Sequence, residues 1–344
     1  MTKKIRVGIN GFGRIGRAFF RIASARPEIE IVAVNDLGDI EGMAYLLKYD
    51  TVYGKFSDDI SVSQDKKSFS VKGQSVAFVQ VKAPQLLPWK DMDIDVVVES
   101  TGLFTSPDKA KLHLDAGAKR VVISAPMKEG EAPGIKSGTI LMAHNEEDLK
   151  ECLISSNASC TTNAGSPVIS ILHETVGIEK ALLNTVHAYT ASQGIVDGPN
   201  KKDWREGRAA AMNMVPSSTG AAKAVTKVIT ELDGLFDGIS IRVPVVAGSL
   251  ADVTFISKKD TTVEEVNTIL KTAAKEKRWE GIFSVTEEEL VSSDIIGSHF
   301  ASIADLKFTR VVGGNLVKVL AWYDNEMGYT HTLVGHVIKA GQFV

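Results

Sequence analysis

The first half of the chain alternates short apolar runs with segments whose apolar residues recur at helical spacing. The runs predict β-strands over Ile5–Ile9, Glu30–Asn35, Ile94–Ser100, Arg120–Ser124 and Cys152–Ser155. The helical spacing predicts helices over Arg14–Ala25 and Pro107–Ala116. Apolar strands that alternate with helices are typical of a parallel, doubly wound sheet. The expected fold class of this half is therefore α/β, of the Rossmann type.

After Cys160 the pattern changes to longer, β-rich and alternating segments. They predict strands over Ile239–Val246, Ala251–Ser257, Phe308–Val312 and Leu316–Trp322, and helices over Thr219–Leu232 and Thr262–Glu276. This pattern favours an α+β domain with a mainly antiparallel sheet. Residues 191–215 show no clear periodicity, and a loop of this length is usually functional or part of an interface.

A chain of 344 residues exceeds what one hydrophobic core usually supports, so two domains are expected. The first is predicted over 1–159, a Rossmann domain completed by a C-terminal helix at 325–344. The second is predicted over 160–324, a catalytic domain that includes the loop at about 189–212.

Composition and charge narrow the classes of function. The net charge of −3 gives no reason to expect nucleic acid or membrane as a partner. Two cysteines cannot build a disulfide framework, and the N-terminal segment lacks the apolar stretch of a signal peptide. We therefore expect a soluble, cytoplasmic protein.

The segment Gly11-Phe12-Gly13-Arg14-Ile15-Gly16 has the spacing of a dinucleotide-binding loop. It follows a predicted strand and opens a predicted helix, and Asp36 ends the next strand, which is the context that the motif requires. Asp36 would bind the ribose hydroxyls and repel a 2′-phosphate, so NAD is the expected cofactor. The alternatives are a glycine-rich turn without a ligand and, for Arg14, a place on a solvated face.

Cys160 lies between hydroxyl residues in Ser156-Asn157-Ala158-Ser159-Cys160-Thr161-Thr162-Asn163, where the sequence turns toward a helix. A thiol at a helix N-terminus is shifted toward its nucleophilic thiolate. A histidine usually assists such a cysteine, and His187 is the leading candidate. The alternative is a buried structural cysteine, which is the interpretation for Cys152 within its predicted strand.

Other polar residues allow two interpretations each. Arg242, inside an apolar strand, needs an anion or an internal acid as its partner. The segment before the helix at Thr219 suits an anion site or simply an N-cap. His113, His173 and His336 lie in helical contexts and are given no role, and no cluster has the spacing of a metal site.

Eight segments together resemble the phosphorylating glyceraldehyde-3-phosphate dehydrogenases over nearly the whole length. These segments are 9–17, 35–36, 99–102, 123–126, 156–163, 216–223, 242–244 and 322–329. The resemblance implies oxidation and phosphorylation of D-glyceraldehyde 3-phosphate to 1,3-bisphosphoglycerate with NAD and inorganic phosphate, in glycolysis or gluconeogenesis.

The resemblance also implies the roles of individual residues. Cys160 would form a hemithioacetal and then a thioester, with His187 as base. The substrate phosphate would be held by Thr190, Ser192 and Arg242, and the attacking phosphate by Ser159, Thr161, Thr219 and Gly220. The cofactor would be held by Gly11, Gly13, Arg14, Ile15, Asp36, Thr101, Ser124, Asn325 and Tyr329. The loop at about 189–212 would pack against a neighbouring subunit, which implies a homotetramer.

Several positions depart from the pattern of this family. Glu206 places an acid where glycine or arginine is common, and it would weaken phosphate binding if it pointed inward. The segments 245–249 and 143–145 also differ. Two alternatives therefore stay open: an erythrose-4-phosphate dehydrogenase, which releases the free acid, and a non-catalytic NAD-responsive binding protein.

Overall fold

The structure is a computed structural model that describes residues 3–201 and 203–344. Met1 and Thr2, in the N-terminal segment considered above, and Lys202, in the loop at about 189–212, lie outside the described residues. The chain divides into a first unit, Met1–Ala158 with Thr330–Val344, and a second unit, Ser159–Tyr329.

The regular elements follow in chain order. The helices are α1 (Arg14–Ala23), α2 (Ile40–Lys48), α3 (Pro107–Asp115), α4 (Cys160–Thr175), α5 (Ala221–Thr226), α6 (Val263–Ala273) and α7 (Met327–Gly341). The strands are β1 (Ile5–Asn10), β2 (Ile29–Asn35), β3 (Tyr49–Asp50), β4 (Gly54–Lys55), β5 (Ile60–Val62), β6 (Ser68–Val71), β7 (Gln74–Val79), β8 (Val96–Glu99), β9 (Arg120–Ile123), β10 (Ser137–Thr139), β11 (Ile154–Ser156), β12 (Ile178–Ala188), β13 (Val215–Ser218), β14 (Phe236–Val243), β15 (Ser249–Ser257), β16 (Phe283–Thr286), β17 (Ser302–Val312) and β18 (Leu316–Tyr323). Short 3-10 turns lie at Pro84–Leu86, Glu146–Lys150, Trp204–Gly207, Ala210–Met212, Thr230–Leu232, Lys277–Trp279 and Ser292–Ile295.

A nine-stranded sheet runs through the first unit in the order β10-β11-β9-β8-β1-β2-β7-β6-β5. The strands from β10 to β7 are parallel, and β6 and β5 add an antiparallel edge. Strands β8 and β9 are buried along their whole length, as expected for a sheet covered on both faces. The residues that follow β1, β2, β8 and β9 collect at one edge, where ligands of such sheets bind.

The end of α7 belongs to the first unit, where the buried His336 forms hydrogen bonds with neighbouring residues. The Nε2 atom of His336 lies 2.8 Å from Ser155 Oγ, and Nδ1 lies 3.1 Å from Asn157 Oδ1. An amide oxygen can only accept, so Nδ1 carries the proton and Ser155 donates to Nε2. Burial lowers the pKa of His336 to about 3, which keeps the ring neutral in this network.

The second unit contains a seven-stranded sheet in the order β13-β14-β12-β15-β18-β17-β16. Strand β12 is parallel to β14 and β16 is parallel to β17, whereas the other four pairs are antiparallel. Helix α4 packs on β12, β15, β17 and β18, as well as on α5 and α6. The prediction of a parallel-rich sheet followed by a mainly antiparallel one is confirmed.

Several predicted elements differ in their bounds from the observed ones. The strand predicted over Phe308–Val312 is only the second half of β17, Ser302–Val312. The helix expected over Thr219–Leu232 is limited to α5, because its continuation is rich in β-branched residues that lower helix propensity. The strand expected over Cys152–Ser155 begins at Ile154, so Cys152 precedes it. The Cys152 side chain is nevertheless buried, and burial raises the pKa of its thiol.

Among the described residues, none of the helices is long and apolar enough to cross a membrane.

Candidate active site

Cys160 is the first residue of α4, and Ser159 caps this helix. The Ser159 backbone is extended, and its Oγ accepts a hydrogen bond of 3.0 Å from the Thr162 backbone N–H. This arrangement is a regular N-cap. The half-buried Cys160 thiol therefore lies in the first turn, at the positive end of the helix dipole.

The fold brings Cys160 and His187 together although 27 residues separate them. His187 is buried near the end of β12, and its Nε2 lies 3.4 Å from Cys160 Sγ. A thiol within hydrogen-bond reach of an imidazole is the arrangement of a cysteine nucleophile and its base.

Burial and one neighbouring cation determine the charges of this pair. Burial raises the pKa of the Cys160 thiol, whereas the Arg242 charge and hydrogen bonds with Thr161 lower it without reversing the shift. Burial and the Arg242 charge together lower the pKa of His187 to about 3. Burial therefore favours the neutral forms of both residues, and the Arg242 charge opposes it only at the thiol.

Arg242 reaches His187 because the two residues are paired in register on the parallel strands β14 and β12. Its Nη1 lies 2.6 Å from His187 Nδ1, and the same Nδ1 lies 2.6 Å from the Ala188 carbonyl oxygen. The buried Nε of Arg242 has no hydrogen-bond partner within the described part of the chain. A half-buried guanidinium whose buried Nε keeps an unused donor is suited to an anionic ligand.

Tyr323, at the end of β18, connects the elements that carry the two reactive residues. Its buried hydroxyl lies 2.9 Å from Thr161 Oγ1 and 2.7 Å from Thr185 Oγ1. Its ring also meets the His187 ring edge to face, with centroids 5.9 Å apart. Burial raises the pKa of Tyr323, so this hydroxyl keeps its proton.

Asn325 is held beside the same strand end. Its Oδ1 accepts hydrogen bonds of 3.1 Å from the Gly248 N–H and from Ser249 Oγ. Ser249 Oγ in turn accepts from the Ala188 N–H at 3.1 Å. A backbone N–H can only donate, so the atom that it contacts is the amide oxygen of Asn325.

Thr190 and Ser192 lie just beyond β12 and are joined by Gln193. The two hydroxyl oxygens are 3.1 Å apart, and Gln193 Oε1 accepts from the Thr190 N–H at 2.7 Å. Both hydroxyls belong to the loop that follows His187.

The four residues expected to hold the attacking phosphate fall into two groups, at the starts of two helices. The Ser159 hydroxyl is bonded to Thr162 and the Thr161 hydroxyl to Tyr323, so each would have to exchange a partner. Thr219 and Gly220 precede α5. Thr219 is half-buried and Gly220 is exposed. Beside them, Glu206 Oε1 accepts from Ser217 Oγ at 2.7 Å, which places an acid near this segment.

The glycine loop of the first unit fits a dinucleotide. A Cβ on Gly11, whose φ is +93°, would lie 2.8 Å from the Thr101 backbone nitrogen, whereas a Cβ on the exposed Gly13 would meet nothing within 4 Å. The N-terminus of α1 carries no side-chain cap and no acid in its first turn. Open space above uncapped helix N–H groups is what a diphosphate requires.

Asp36 and Arg14 flank this loop and already have partners. Asp36 Oδ2 accepts from the Phe12 N–H at 2.7 Å and Oδ1 from the Gly38 N–H at 2.8 Å, and each oxygen keeps a further lone pair. Arg14 Nη1 lies 2.8 Å from Asp50 Oδ2.

The other residues expected to bind the cofactor lie just after strands or in the first turns of helices. Thr101 follows β8 and donates to buried Glu99, and Ser124 follows β9. Ile15 is half-buried in the first turn of α1, and Tyr329 is buried in the first turn of α7. Among the described residues, no group of three or more His, Cys, Asp or Glu could hold a metal ion.

Sequence reasoning missed Tyr323, Gln193 and Ser249 as parts of the site. Tyr323 lies within the segment 322–329 that carried the resemblance, which was its only signal. Gln193 and Ser249 act through contacts that become visible only in the folded chain.

The first unit thus has the fold and the glycine loop of a dinucleotide-binding domain, and the second has a cysteine–histidine pair beside an arginine. These features are typical of the dehydrogenase class. Comparison with known proteins gives the family. Residues 5–107 match the family model for the glyceraldehyde 3-phosphate dehydrogenase NAD binding domain, and residues 159–325 match that for the C-terminal domain. The chain belongs to the glyceraldehyde-3-phosphate dehydrogenase family, and both the resemblance and the expected cofactor NAD are confirmed.

Similar proteins span bacteria and fungi. The chain is 48% identical over 332 residues to a glyceraldehyde-3-phosphate dehydrogenase of Thermotoga maritima, covering 96% of this chain and 97% of the relative. It is 46% identical over 335 residues to glyceraldehyde-3-phosphate dehydrogenase B of Aspergillus oryzae, covering 97% of both chains. A relative from Geobacillus stearothermophilus is 46% identical, with 96% of both chains covered.

Proposed function

We propose that this protein oxidises and phosphorylates D-glyceraldehyde 3-phosphate to 1,3-bisphosphoglycerate, using NAD and inorganic phosphate. The observation that supports the proposal most is the 3.4 Å contact between Cys160 Sγ and the Nε2 of a neutral His187, in a chain of this family. A neutral imidazole is able to take the proton of the attacking thiol.

The two residues exchange protons while bonds form at sulfur. His187 takes the thiol proton as Cys160 Sγ attacks the aldehyde carbon, and returns it to the new oxyanion to give a hemithioacetal. Bound NAD supplies the chemistry of oxidation by accepting a hydride. His187 takes the hydroxyl proton again as the carbonyl of the thioester forms. A phosphate oxygen then attacks this carbonyl, the C–S bond breaks, and Cys160 leaves as the thiolate.

Two anion sites serve these steps in the proposal. Arg242 holds the substrate phosphate together with the hydroxyls of Thr190 and Ser192, since its guanidinium provides donors in a fixed fork. Ser159, Thr161, Thr219 and Gly220 hold the attacking phosphate at the N-termini of α4 and α5. For Ser159 and Thr161 this requires an exchange of hydrogen-bond partner.

NAD is the proposed ligand of the glycine loop. In the first unit, Gly11, Gly13 and Arg14 hold the diphosphate, Asp36 holds the adenosine ribose, Ile15 packs against the nicotinamide ring, and Thr101 and Ser124 line the strand ends. In the second unit, the NH2 group of Asn325 binds the carboxamide of the nicotinamide, and Tyr329 lies near its ring. For Arg14, contact with phosphate means sharing its ion pair with Asp50.

Glu206 bears on the choice between phosphate and water as the acceptor of the acyl group. A carboxylate beside the segment that precedes α5 repels phosphate, so Glu206→Gln should lower the KM for inorganic phosphate several-fold, with kcat nearly unchanged. The matched control is Glu288→Gln, an exposed residue of another segment. An unchanged KM would mean that Glu206 does not face the phosphate.

The proposed reaction is tested by NADH formation from glyceraldehyde 3-phosphate and NAD, with and without inorganic phosphate. Steady turnover that requires phosphate, and that Cys160→Ser abolishes, is the expected result. Turnover without phosphate, stronger on erythrose 4-phosphate, would instead indicate the hydrolytic relative. No turnover on either sugar would favour the NAD-responsive binding protein.

We also propose that the protein is a homotetramer of the cytoplasm. Large apolar side chains are exposed on the second unit at Leu182 of β12, Ile239 of β14 and Trp204 of the loop at about 189–212, which suits contacts with other copies. The two free cysteines suit a reducing compartment.

A further inference from the structure

We propose that Glu99 is a positioning residue of the cofactor site, which holds the glycine loop of the first unit in shape before NAD binds. This inference rests on the proposed function, because it takes the glycine loop as the site of NAD. It adds a buried chain of hydrogen bonds, from Trp89 at one end to Asn35 at the other, as the device that sets the shape of the loop.

Glu99 is a buried residue at the end of β8 whose two carboxylate oxygens each accept two hydrogen bonds. Its Oε2 accepts from Asn10 Nδ2 at 2.5 Å and from His113 Nε2 at 3.0 Å. Its Oε1 accepts from the Thr101 backbone N–H at 2.8 Å and from the Thr101 hydroxyl. Donors from three segments of the chain therefore converge on one carboxylate, and they offset the cost of burying its charge.

The direction of these hydrogen bonds is fixed on the side of Trp89. The indole N–H can only donate, and it lies 3.0 Å from His113 Nδ1. This nitrogen therefore carries no proton, and the ring proton lies on Nε2, where it is donated to Glu99. The 3.4 Å between His113 Nε2 and Asn10 Nδ2 then separates two donors that share one acceptor.

The direction is fixed equally on the side of Asn35. The Val81 backbone N–H donates to Asn35 Oδ1 at 2.9 Å, which determines the orientation of that amide. Asn35 Nδ2 then donates to Asn10 Oδ1 at 2.7 Å, and both asparagines are buried. Asn10 has only its NH2 group left for Glu99. Both sides of the chain of hydrogen bonds thus end on the Glu99 carboxylate.

This chain joins the ends of three neighbouring strands that lead into the cofactor site. Asn10 ends β1, Asn35 ends β2 and Glu99 ends β8, and β1 lies between the other two strands. The glycine loop follows β1, Asp36 follows β2, and Thr101 lies just beyond β8. Because the three side chains are bonded to one another, the strand ends keep a fixed spacing.

The glycine loop touches the segment that Glu99 holds. A Cβ on Gly11 would lie 2.8 Å from the Thr101 backbone nitrogen, the nitrogen whose proton Glu99 accepts. Ser100 Oγ also donates to the Gly11 carbonyl oxygen at 2.7 Å. A displacement of Thr101 would therefore displace Gly11, and a loop that has to be reordered on binding lowers the affinity for its ligand.

The binding test uses Glu99→Gln, which keeps the size of the side chain and removes an acceptor. Whichever way the new amide is turned, its NH2 group faces a group that only donates, either the Thr101 N–H or the Asn10 NH2. The dissociation constant of NAD, measured by titration calorimetry, should rise about tenfold. The KM for NAD should rise by a similar factor, and kcat at saturating NAD should change much less. Glu28→Gln, at an exposed residue of the first unit, is the control.

Hydrogen–deuterium exchange of the NAD-free protein distinguishes positioning from general stability. In Glu99→Gln, peptides that contain residues 11–13 and 100–102 should exchange faster than in the wild type. Peptides from α4 and β12 of the second unit should exchange as before. Saturating NAD should slow the exchange of residues 11–13 in the variant, because the bound ligand then orders the loop.

Two variants at His113 test the same chain of hydrogen bonds without altering the carboxylate, and they decide the matter if Glu99→Gln does not fold. His113→Gln has an oxygen that can accept from Trp89 and an NH2 group that can donate to Glu99, whereas His113→Leu has neither. NAD should bind several-fold more weakly to His113→Leu than to the wild type. His113→Gln should recover most of this loss.

The outcomes separate this inference from the proposed function. A dissociation constant of NAD that stays as in the wild type in Glu99→Gln, or in His113→Leu where the first variant does not fold, would overturn the inference. A lower thermal midpoint with unchanged NAD binding would do the same, since Glu99 would then stabilise the fold alone. A wild-type protein that does not bind NAD would instead contradict the proposed function.

Discussion

The Cys160–His187 pair shows what burial and one neighbouring cation do to two titratable residues. Burial favours the neutral form of each, whereas the Arg242 charge favours a thiolate and disfavours an imidazolium. The two influences agree at His187 and oppose each other at Cys160.

Asp36 is the residue that we predict to decide between NAD and NADP. Its carboxylate accepts a hydrogen bond from the Phe12 N–H of the glycine loop. At this position its negative charge would repel a 2′-phosphate. Asp36→Gly should raise the ratio of kcat/KM for NADP to that for NAD by about tenfold or more, which corresponds to about 1.4 kcal/mol. The ratio is measured from initial rates with each cofactor.

Asp36→Asn separates charge from hydrogen bonding. It keeps an acceptor for the loop backbone and loses the negative charge, so it should shift the ratio in the same direction. If neither variant changes the ratio, Asp36 is not the discriminating residue.

At the scale of elements, continuous apolar runs were the most reliable guide to structure. Strands β1, β2, β8 and β9 were predicted because sheets covered on both faces leave little room for polar residues. Strand β12 was not, since Ile178–Ala188 mixes charged, polar and apolar residues, and its partners β14 and β15 decide its conformation. This strand carries His187, so the residue was predicted but its supporting element was not.

The same limit applies to the contacts of the site. Cys160 and Asp36 were predictable because each belongs to a short motif. Tyr323 and Thr161 are 162 residues apart, and no local pattern indicates that their hydroxyls meet. Contacts of this kind depend on the packing of whole elements, which a single sequence does not display.

Tyr323 should be a positioning residue for α4 and β12. Tyr323→Phe leaves the ring on His187 but removes the hydroxyl from Thr161 and Thr185, whose buried groups then lose a partner at a cost of about 1–3 kcal/mol. We expect kcat to fall about tenfold, the thermal midpoint to fall, and the pH profile of Cys160 alkylation by iodoacetamide to shift. Tyr45→Phe, at an exposed position of α2, is the control.

A positioning role requires that the alkylation profile changes. If Tyr323→Phe lowers only the thermal midpoint, while kcat and the alkylation profile stay as in the wild type, the hydroxyl stabilises the fold and does not position the reactive pair.

At the scale of the whole molecule, buried neutral histidines make stability depend on pH. The pKa of His336 is about 3 in the folded chain, against an ordinary value of about 6.5. Between these values the unfolded chain binds a proton that the folded chain does not. Stability is therefore full above about pH 6.5 and falls as the pH drops toward 3, with a slope of up to about 1.4 kcal/mol per pH unit for each such histidine.

His336→Asn should reduce this slope, even though loss of the contacts with Ser155 and Asn157 lowers the free energy of unfolding at pH 7. The measurement is urea unfolding between pH 7 and 4.5. His299→Asn, at an exposed residue, should keep the slope of the wild type. A slope that is the same in all three proteins would show that His336 does not titrate on unfolding.

We predict that the protein assembles into oligomers, because the second unit exposes apolar side chains that a single chain would leave in contact with water. Leu182 is 66% exposed on β12, and Ile239 lies on the neighbouring strand β14. We expect four chains of 37.0 kDa per particle by sedimentation or light scattering.

Leu182→Lys combined with Ile239→Lys should place two charges in an apolar contact and yield smaller particles at micromolar concentration. Leu86→Lys, equally exposed in the first unit, should leave the mass unchanged. A tetramer that withstands the double change would place its contacts elsewhere, and a wild-type monomer would contradict the proposed assembly.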